Sequence, residues 1–250
     1  MIEAVVFDLD GVLLDSEILW DGARRRVADE HGGRWRPDAT SDMQGMSSVE
    51  WSTYLRDQIG VELDKERIVE LVVAALLARY RHHLPLLPGA LDAVARIGRR
   101  WPLALASSAN RPVINEFLAL SGLTDAFLVT VSSEEVPRGK PHPDVYLEVC
   151  RCLRVPSRRC VAIEDSSNGI KAALAAGMRV AAVPNREFPP EAGVLARADL
   201  VVHQLDDLTV SRLSRLGDEP EQSAVDPVDE QEMESFPASD SHSDWAGPSA

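Results

Sequence analysis

Residues 4–12 read AVVFDLDGV, a short apolar run followed by two aspartates that are separated by one leucine. The apolar run at residues 4–7 predicts a buried β-strand, which Asp8 ends. In an open parallel sheet, ligands bind beyond the carboxyl ends of the strands, and Asp8 and Asp10 would lie at that edge. Two carboxylates so close repel each other unless a cation is near. Taken alone, the pair is also compatible with an aspartate-rich turn that closes a strand.

Short aliphatic runs alternate with amphipathic helical patterns outward from this first strand. Strands are predicted at residues 4–7, 103–106, 127–131, 161–163, 179–183 and 200–202. Helices are predicted between most of them, at residues 90–100, 112–121, 144–153 and 168–176. This alternation predicts an α/β fold, a Rossmann-like parallel sheet with helices on both faces.

The interval between the first two predicted strands contains no convincing strand pattern. It carries additional helical patterns at residues 17–31, 47–59 and 65–82. A crossover between parallel strands needs only about a dozen residues, so this interval is too long for a simple connection. We therefore predict an inserted α-helical cap at residues 16–84 and a core built from residues 1–15 and 85–216.

The charge of the chain is concentrated at its C-terminal end. The formal net charge is −14, but residues 217–250 hold ten acidic side chains and no Lys or Arg. The remaining chain has 26 basic and 30 acidic residues, a net charge of −4, which does not favour nucleic-acid binding. Because residues 217–250 are also rich in Ser and Pro, we predict a disordered acidic tail there.

No targeting segment or membrane span is recognisable in the sequence. Asp8 interrupts the first apolar run, and the longest apolar stretch, residues 68–78, contains Glu70 and is too short to cross a bilayer. Three cysteines lack the spacing of a zinc site. The sequence therefore predicts a cytoplasmic protein without a membrane or nucleic-acid partner. No large apolar surface pattern requires a dimer, so a monomer is expected.

Polar residues also follow other predicted strands. Ser107 and Ser108 come after the second strand, Glu164 and Asp165 come after the fourth, and Lys140 precedes a predicted helix. Parallel strands would bring these side chains to the same edge as the two aspartates. Carboxylate oxygens suit Mg²⁺, whereas hydroxyl and ammonium groups suit phosphate. We therefore favour a magnesium-dependent phosphoryl-transfer site over a coincidental occurrence of these residues at one edge of the sheet.

These motifs resemble those of the haloacid dehalogenase superfamily, and within it the β-phosphoglucomutase-like branch of sugar-phosphate enzymes. The resemblance covers about residues 2–205. Four signatures occur in the family's order and spacing: Asp8-x-Asp10-Gly11-Val12 extended by Leu14-Asp15-Ser16-Glu17, then Ser107, Lys140 in Gly-Lys-Pro-His-Pro, and Glu164-Asp165-Ser166-x-Asn168-Gly169. A dehalogenase is disfavoured because such enzymes do not use a carboxylic acid two residues after the first aspartate.

The resemblance implies an aspartyl-phosphate mechanism. Asp8 would be the nucleophile, and Asp10 would protonate the leaving oxygen and later deprotonate the attacking water. Mg²⁺ would be bound by Asp8, by the main-chain carbonyl of Asp10 and by Asp165, with Glu164 near it or linked through water. Lys140 would pair with Glu164 or Asp165 and so fix the shape of the site.

The resemblance also implies a phosphate-binding set. Ser107, Ser108 and Lys140 would hold the transferring oxygens, and main-chain N–H groups near Leu9 would complete the cradle. The ligand would be a small phosphorylated metabolite.

The choice between phosphatase and mutase depends on the cap. The mutase carries a segment resembling Lys-Gly-x-Ser-Arg, whereas this chain has Gln44 and Ser48 in place of the Lys and the Arg. Loss of a bidentate Arg should impair binding of a bisphosphate. Trp20 also stands where the mutase has a histidine. We therefore favour a phosphatase acting on a sugar or polyol phosphate, with Trp20, Gln44 and Ser48 setting specificity; a phosphosugar mutase is the alternative.

Trp20 is expected either to line the pocket or to pack the cap against the core, and Trp51 is interpreted as a packing residue. Arg24, Arg25 or Arg26 could replace the missing cation, although charge repeats on a helix usually form a solvated face. A non-catalytic ligand-sensing protein with this fold is the alternative of another class. It is disfavoured because every expected catalytic position is filled.

Overall fold

Six parallel strands form a sheet in the computed structural model, which describes residues 1–43, 46–186 and 188–217. The strands are β1 Ala4–Phe7, β2 Leu103–Ser107, β3 Val129–Ser132, β4 Cys160–Glu164, β5 Arg179–Ala182 and β6 Leu200–Val201. Their order is β3-β2-β1-β4-β5-β6, so that β1 lies in the middle. All six predicted strands are confirmed, with boundaries that shift by at most two residues. The strand order reverses on either side of β1, which is where ligands bind in open α/β sheets.

The described part of the chain also forms ten α-helices. These are α1 Glu17–Glu30, α2 Ala39–Asp42, α3 Ser48–Tyr54, α4 Lys65–His82, α5 Ala90–Gly98, α6 Arg111–Ser121, α7 Asp144–Leu153, α8 Ser167–Ala175, α9 Ala192–Leu195 and α10 Val210–Arg215. The helix predicted at residues 47–59 forms as two consecutive segments, the α-helix α3 and a π-helical turn at Leu55–Ile59. Gly60 ends that turn in the left-handed conformation, with φ of 84°.

Both faces of the sheet are covered by helices. Along β1, Val5 and Phe7 pack into a core that includes Phe117 of α6, whereas Ala4 and Val6 pack into a core that includes Tyr146 of α7. Strands buried on both faces need apolar side chains at every position, which explains the uninterrupted apolar run at residues 4–7. The predicted α/β fold with helices on both faces is therefore confirmed.

Between β1 and β2, the described residues form the helices α1 to α5, joined by loops and one π-helical turn. α1 packs against α4, and α3 also packs against α4. The two connections to the sheet run side by side: Asp15 N donates to Pro85 O at 2.8 Å, and Leu87 N donates to Leu13 O at 3.0 Å. This arrangement agrees with an insertion, while the division into a cap at residues 16–84 and a core stays a prediction.

Two sequence-based expectations concern other regions of the chain. None of the helices in the described residues combines the length and the apolar character needed to cross a membrane. Apart from Gly217, the predicted acidic tail at residues 217–250 lies outside the described residues.

Candidate active site

The carboxyl ends of β1 and β4 bring three acidic side chains together. Asp8 follows β1, Glu164 is the last residue of β4, and Asp165 follows it. The two strands are in register, with Phe7 opposite Ile163, and Asp8 N donates to Ile163 O at 3.0 Å. All three acidic side chains are buried. Carboxylates in such a place need positive charge nearby.

Lys140 supplies one positive charge from the loop before α7. Its ammonium group donates to Asp8 Oδ1 at 2.5 Å, to Glu164 Oε1 at 2.7 Å and to the main-chain oxygen of Ala106 at 3.1 Å. Burial alone would lower the pKa of Lys140, but the charges of Asp8 and Glu164 outweigh burial and raise this pKa. The three donors of the ammonium group are thus engaged, so binding a phosphate oxygen would require one of these bonds to be exchanged.

Glu164 has more hydrogen-bond partners than the sequence alone predicts. Besides Lys140, Glu164 Oε1 accepts from the hydroxyl of Tyr146 at 2.5 Å. Its other oxygen, Oε2, accepts from Asp165 N at 3.2 Å and from Ser166 Oγ at 3.3 Å. Tyr146 was not singled out from the sequence. With these partners, Glu164 orients the site as well as contributing charge.

The acidic cluster fits a magnesium ion. Asp8, Glu164 and Asp165 each offer a carboxylate oxygen within 4.8 Å of the others. Burial raises the pKa of Asp8 to about 8, even though Lys140 opposes the shift. Burial and the charge of Glu164 also raise the pKa of Asp165. A hard divalent cation with oxygen ligands would relieve this excess of buried negative charge.

A glycine allows Asp165 to approach the loop after β1. Gly11 has φ of +82°, and a Cβ at this position would lie 1.9 Å from Asp165 Oδ2. No side chain fits there without displacing the carboxylate. This contact explains why the two aspartates of the first motif are followed by a glycine.

Asp10 is separate from the acidic cluster and has its own partners. Its Oδ1 accepts from Ser16 Oγ at 2.5 Å and from the indole nitrogen of Trp20 at 3.0 Å. Burial raises the pKa of Asp10, and the two hydrogen bonds oppose this shift. A carboxyl group with a raised pKa can carry and release a proton near neutral pH, as general acid–base catalysis requires.

A small cavity lies beside Asp10. Its volume is about 40 Å³, and its lining includes Glu17, Trp20, Arg24 and Trp51. Pockets for small molecules usually measure several hundred Å³, so a substrate could enter only if the surrounding helices separated. Trp20 both lines this cavity and hydrogen-bonds Asp10, and Trp51 is more than a packing residue because it also lines the cavity.

The three consecutive arginines of α1 differ in their surroundings. Arg25 and Arg26 are exposed and pair with Asp21 and Glu30, which agrees with a solvated face. Arg24 is only 7% exposed and lines the cavity. The expectation of a solvated face is therefore wrong for Arg24. The helical period carries a signal for this difference, because Arg24 lies four residues after the buried Trp20.

The remaining predicted site residues have varied positions. Ser107 is buried at the end of β2, where its Oγ accepts from Ala109 N at 3.0 Å, and Ser108 lines the cavity. Leu9 is buried. Ser48 is the buried first residue of α3 and is not among the residues that line the cavity, and Gln44 lies outside the described residues. Their assigned roles stay predictions.

Comparison with known proteins yields a consistent picture. Residues 2–177 match the model of a family described as haloacid dehalogenase-like hydrolase. The chain is 34% identical over 221 residues to hexitol phosphatase B of Escherichia coli, covering 84% of this chain and 96% of the relative.

Solved structures agree with this match. The fold resembles that of β-phosphoglucomutase from Clostridium difficile, with 26% identity, a TM-score of 0.76 and coverage of 87% and 98% of the two chains. It also resembles a CbbY variant from Rhodobacter sphaeroides in complex with xylulose-(1,5)bisphosphate, with 28% identity, a TM-score of 0.72 and coverage of 83% and 96%.

Proposed function

The chain belongs to the haloacid dehalogenase-like hydrolases, and on this premise we propose that it is a magnesium-dependent phosphatase of a sugar or polyol phosphate. The observation that carries the proposal is the separation of two kinds of acid at one sheet edge. Asp8 lies in a buried cluster that fits a cation, whereas Asp10 lies outside the cluster on the cavity and is held by Ser16 and Trp20. A nucleophile beside a cation and a proton donor beside the leaving group are what a two-step phosphoryl transfer needs.

In the first step, a carboxylate oxygen of Asp8 attacks the phosphorus of the substrate. The bond from phosphorus to the ester oxygen breaks, and the carboxyl group of Asp10 donates its proton to that oxygen, which leaves as an alcohol. The product on the protein is an aspartyl-phosphate. Burial raises the pKa of Asp10, which favours the protonated form that this transfer uses.

In the second step, a water molecule attacks the phosphorus of the aspartyl-phosphate. Asp10, now ionised, accepts a proton from this water, and the bond between phosphorus and the Asp8 oxygen breaks. Inorganic phosphate leaves, and both aspartates return to their initial states. The hydrogen bonds from Ser16 and Trp20 keep the Asp10 carboxyl group in one orientation for both proton transfers.

Asp8, Asp165 and the main-chain carbonyl of Asp10 would hold Mg²⁺, with Glu164 beside it. When bound, the ion supplies positive charge that offsets the repulsion between the Asp8 carboxylate and the anionic phosphate. Lys140 adds a second positive charge and holds Asp8 and Glu164 in place.

Ser107, Ser108, Lys140 and the main chain at Leu9 would bind the oxygens of the transferring phosphate. Ser108 already faces the cavity, and Ser107 ends the strand beside β1. Donors fixed in this way stabilise charge that develops in the transition state.

The relative supports the proposed substrate class. The match to hexitol phosphatase B covers 84% of this chain, and the cavity beside Asp10 has a mixed aromatic and charged lining that suits hydroxyl groups. Trp20, Gln44 and Ser48 are proposed to contribute to specificity. We further propose a cytoplasmic monomer that requires neither a membrane nor nucleic acid.

A phosphosugar mutase is the second candidate, because β-phosphoglucomutase shares this fold over nearly its whole length. The replacement of the mutase cap cation by Ser48 argues for the phosphatase instead. The mutase predicts conversion of β-glucose 1-phosphate in the presence of a bisphosphate primer, without net phosphate release.

The test is phosphate release from a panel of hexitol, hexose and glycerol monophosphates and phosphoglycolate, with Mg²⁺ present. Asp8→Asn protein is the matched control, because the amide keeps the shape of the side chain and removes the nucleophile. We expect release from wild type alone, lost on chelation and restored by Mg²⁺. Full activity of Asp8→Asn protein would refute the nucleophile, and activity that survives chelation would refute the magnesium requirement.

A further inference from the structure

The cavity beside Asp10 contains a positive charge that the chemistry at Asp8 does not use. Arg24 lines this cavity, yet in the described parts of the chain its side chain makes no ion pair and no hydrogen bond. Its Nε is fully buried and lacks a hydrogen-bond partner there. A buried guanidinium donor without a partner is costly, and a bound ligand can supply the missing acceptor.

Two indole rings hold the Arg24 guanidinium in place. Its central carbon lies 5.2 Å from the ring centroid of Trp20 and 5.3 Å from that of Trp51. The two ring centroids are 6.2 Å apart, and the ring planes meet at 56°. Cation–π contact compensates part of the loss of hydration but leaves the N–H groups without acceptors. The Arg24 side chain is therefore fixed in orientation, while its buried Nε–H lacks an acceptor among the described residues.

An acidic side chain lines the same cavity. Glu17 lies seven residues before Arg24 on α1, which is two helical turns along the same face. No nitrogen of Arg24 lies within 4.0 Å of a Glu17 oxygen, since no salt bridge joins these two described residues. The cavity thus presents an acceptor and a donor that do not satisfy each other.

We propose that Arg24 and Glu17 are specificity-determining residues that bind neighbouring hydroxyl groups of a neutral polyol chain. The chain would extend from the transferred phosphate past Asp10 into the cavity. One hydroxyl oxygen accepts from Arg24, and a hydroxyl hydrogen is donated to Glu17. This inference rests on the proposed phosphatase function, because it assigns the part of the substrate that is not the phosphate.

A second phosphate group is a poorer occupant. It would gain charge attraction from Arg24 but would lie near the carboxyl groups of Asp10 and Glu17, whose ionised forms repel it. A hydroxyl group carries no net charge and can donate and accept at once. The pairing of one acid with one base therefore favours a diol over a bisphosphate.

The test compares two substrates and three variants. The kcat/KM of a hexitol monophosphate is divided by that of phenyl phosphate, which has the ester but no hydroxyl groups on its carbon frame. Arg24→Ala should lower this ratio about 30-fold, because it removes a hydrogen bond to a charged group, and Glu17→Met should lower it about 5-fold, because it removes the carboxyl oxygens that accept the hydroxyl group. Arg26→Ala is the control. Arg26 is exposed on the same helix and pairs with Glu30, and the ratio should stay within about twofold of wild type.

The outcomes separate the alternatives. An unchanged ratio in both Arg24→Ala and Glu17→Met proteins would overturn the inference. So would an Arg24→Ala protein that selectively loses activity on a hexose bisphosphate, because that result assigns an anionic subsite. Circular dichroism checks folding, and if Arg24→Ala protein does not fold, Glu17→Met, which keeps a long unbranched side chain without the carboxyl oxygens, decides.

Failure of the phosphatase proposal would look different. In that case wild-type protein would release no phosphate from either substrate. Calorimetric binding of the hexitol monophosphate to Asp8→Asn protein, with and without Arg24→Ala, then tests the inference without turnover. We expect about 30-fold weaker binding when Arg24 is absent, and equal affinity would refute its role.

Discussion

Replacement of Gly169 by alanine should destabilise the protein and impair the site together. Gly169 lies in the first turn of α8, against the buried carboxylate of Glu164. A Cβ at Gly169 would lie 1.9 Å from the carboxyl carbon of Glu164 and 2.0 Å from Oε1. Real contacts of this kind are essentially never shorter than 3.0 Å, so the carboxylate would have to move by about 1 Å.

The expected cost follows from the partners of Glu164. A shift of this size breaks or weakens the bonds to Lys140 at 2.7 Å and to Tyr146 at 2.5 Å. Hydrogen bonds to charged groups contribute about 1.5–3 kcal/mol each, and overpacking adds about 1–3 kcal/mol. Alanine returns only about 0.5–1 kcal/mol through its better helix propensity. We therefore expect the free energy of unfolding to fall by about 3 kcal/mol or more, with a large loss of kcat.

Gly22→Ala provides the matched control. Gly22 is an exposed residue inside α1, and a Cβ there meets no atom within 4 Å. The same substitution should therefore stabilise the protein by about 0.5–1 kcal/mol without affecting kcat. Urea unfolding followed by circular dichroism measures both effects. If Gly169→Ala protein proved as stable and as active as Gly22→Ala protein, the packing argument would be wrong.

Three further changes probe other features of the site. Trp20→Phe removes the hydrogen bond to Asp10 and should raise the pKa of that carboxyl group, so the limb of the pH–rate profile that reports Asp10 should move up by less than about one pH unit. Ser47→Cys combined with Gly139→Cys should form a disulfide after slight relaxation, since a Cβ at Gly139 would lie 3.1 Å from Ser47 Cβ. Oxidation of this double-cysteine protein should block turnover reversibly, because the disulfide keeps the cavity closed. Burial raises the pKa of Glu17 from 4.5 to about 7, so between these pH values the folded state holds a proton that the unfolded state has lost. The free energy of unfolding should therefore fall by up to ~3 kcal/mol as the pH rises through this window. Glu17→Gln should remove that part of the pH dependence in urea unfolding.

Each of these changes has a result that would contradict it. An unshifted pH–rate profile for Trp20→Phe would mean that the indole does not tune Asp10. Full activity of the oxidised double-cysteine protein, with the single-cysteine variants as controls, would show that the helices need not separate. Parallel stability curves for wild type and Glu17→Gln protein between pH 4.5 and about 7 would contradict the buried, protonated acid.

Much of the fold and part of the site are local enough to be predicted from the sequence. A strand buried on both faces needs an unbroken apolar run, and residues 4–7 form β1 for that reason. Asp8, Glu164 and Asp165 follow such runs, so parallel strands bring them to one edge whatever the details of packing. Lys140 was predicted to pair with Glu164 or Asp165, and the structure has it paired with Glu164.

Other parts of the site depend on contacts between distant segments. The bond from Tyr146 to Glu164 requires α7 to pack on one face of the sheet, and no local pattern specifies the distance between those atoms. Arg24 is a different case, because the spacing from Trp20 to Val27 carried a usable signal for the buried face of α1. Three consecutive arginines suggest an exposed face, whereas the helical period places Arg24 on the buried face of α1.

The central position of β1 also bears on the order in which the chain can fold during synthesis. β1 comes first among the strands, yet its neighbours β2 and β4 are made from residues 103–107 and 160–164. Until those residues leave the ribosome, the apolar run at residues 4–7 has neither edge paired, and an unpaired strand of this kind is prone to aggregate. The helices α1, α3 and α4 between β1 and β2 pack against one another and can form before β2 exists. Asp8 is therefore synthesised well before Lys140 and Asp165, the residues beside which it lies in the folded protein.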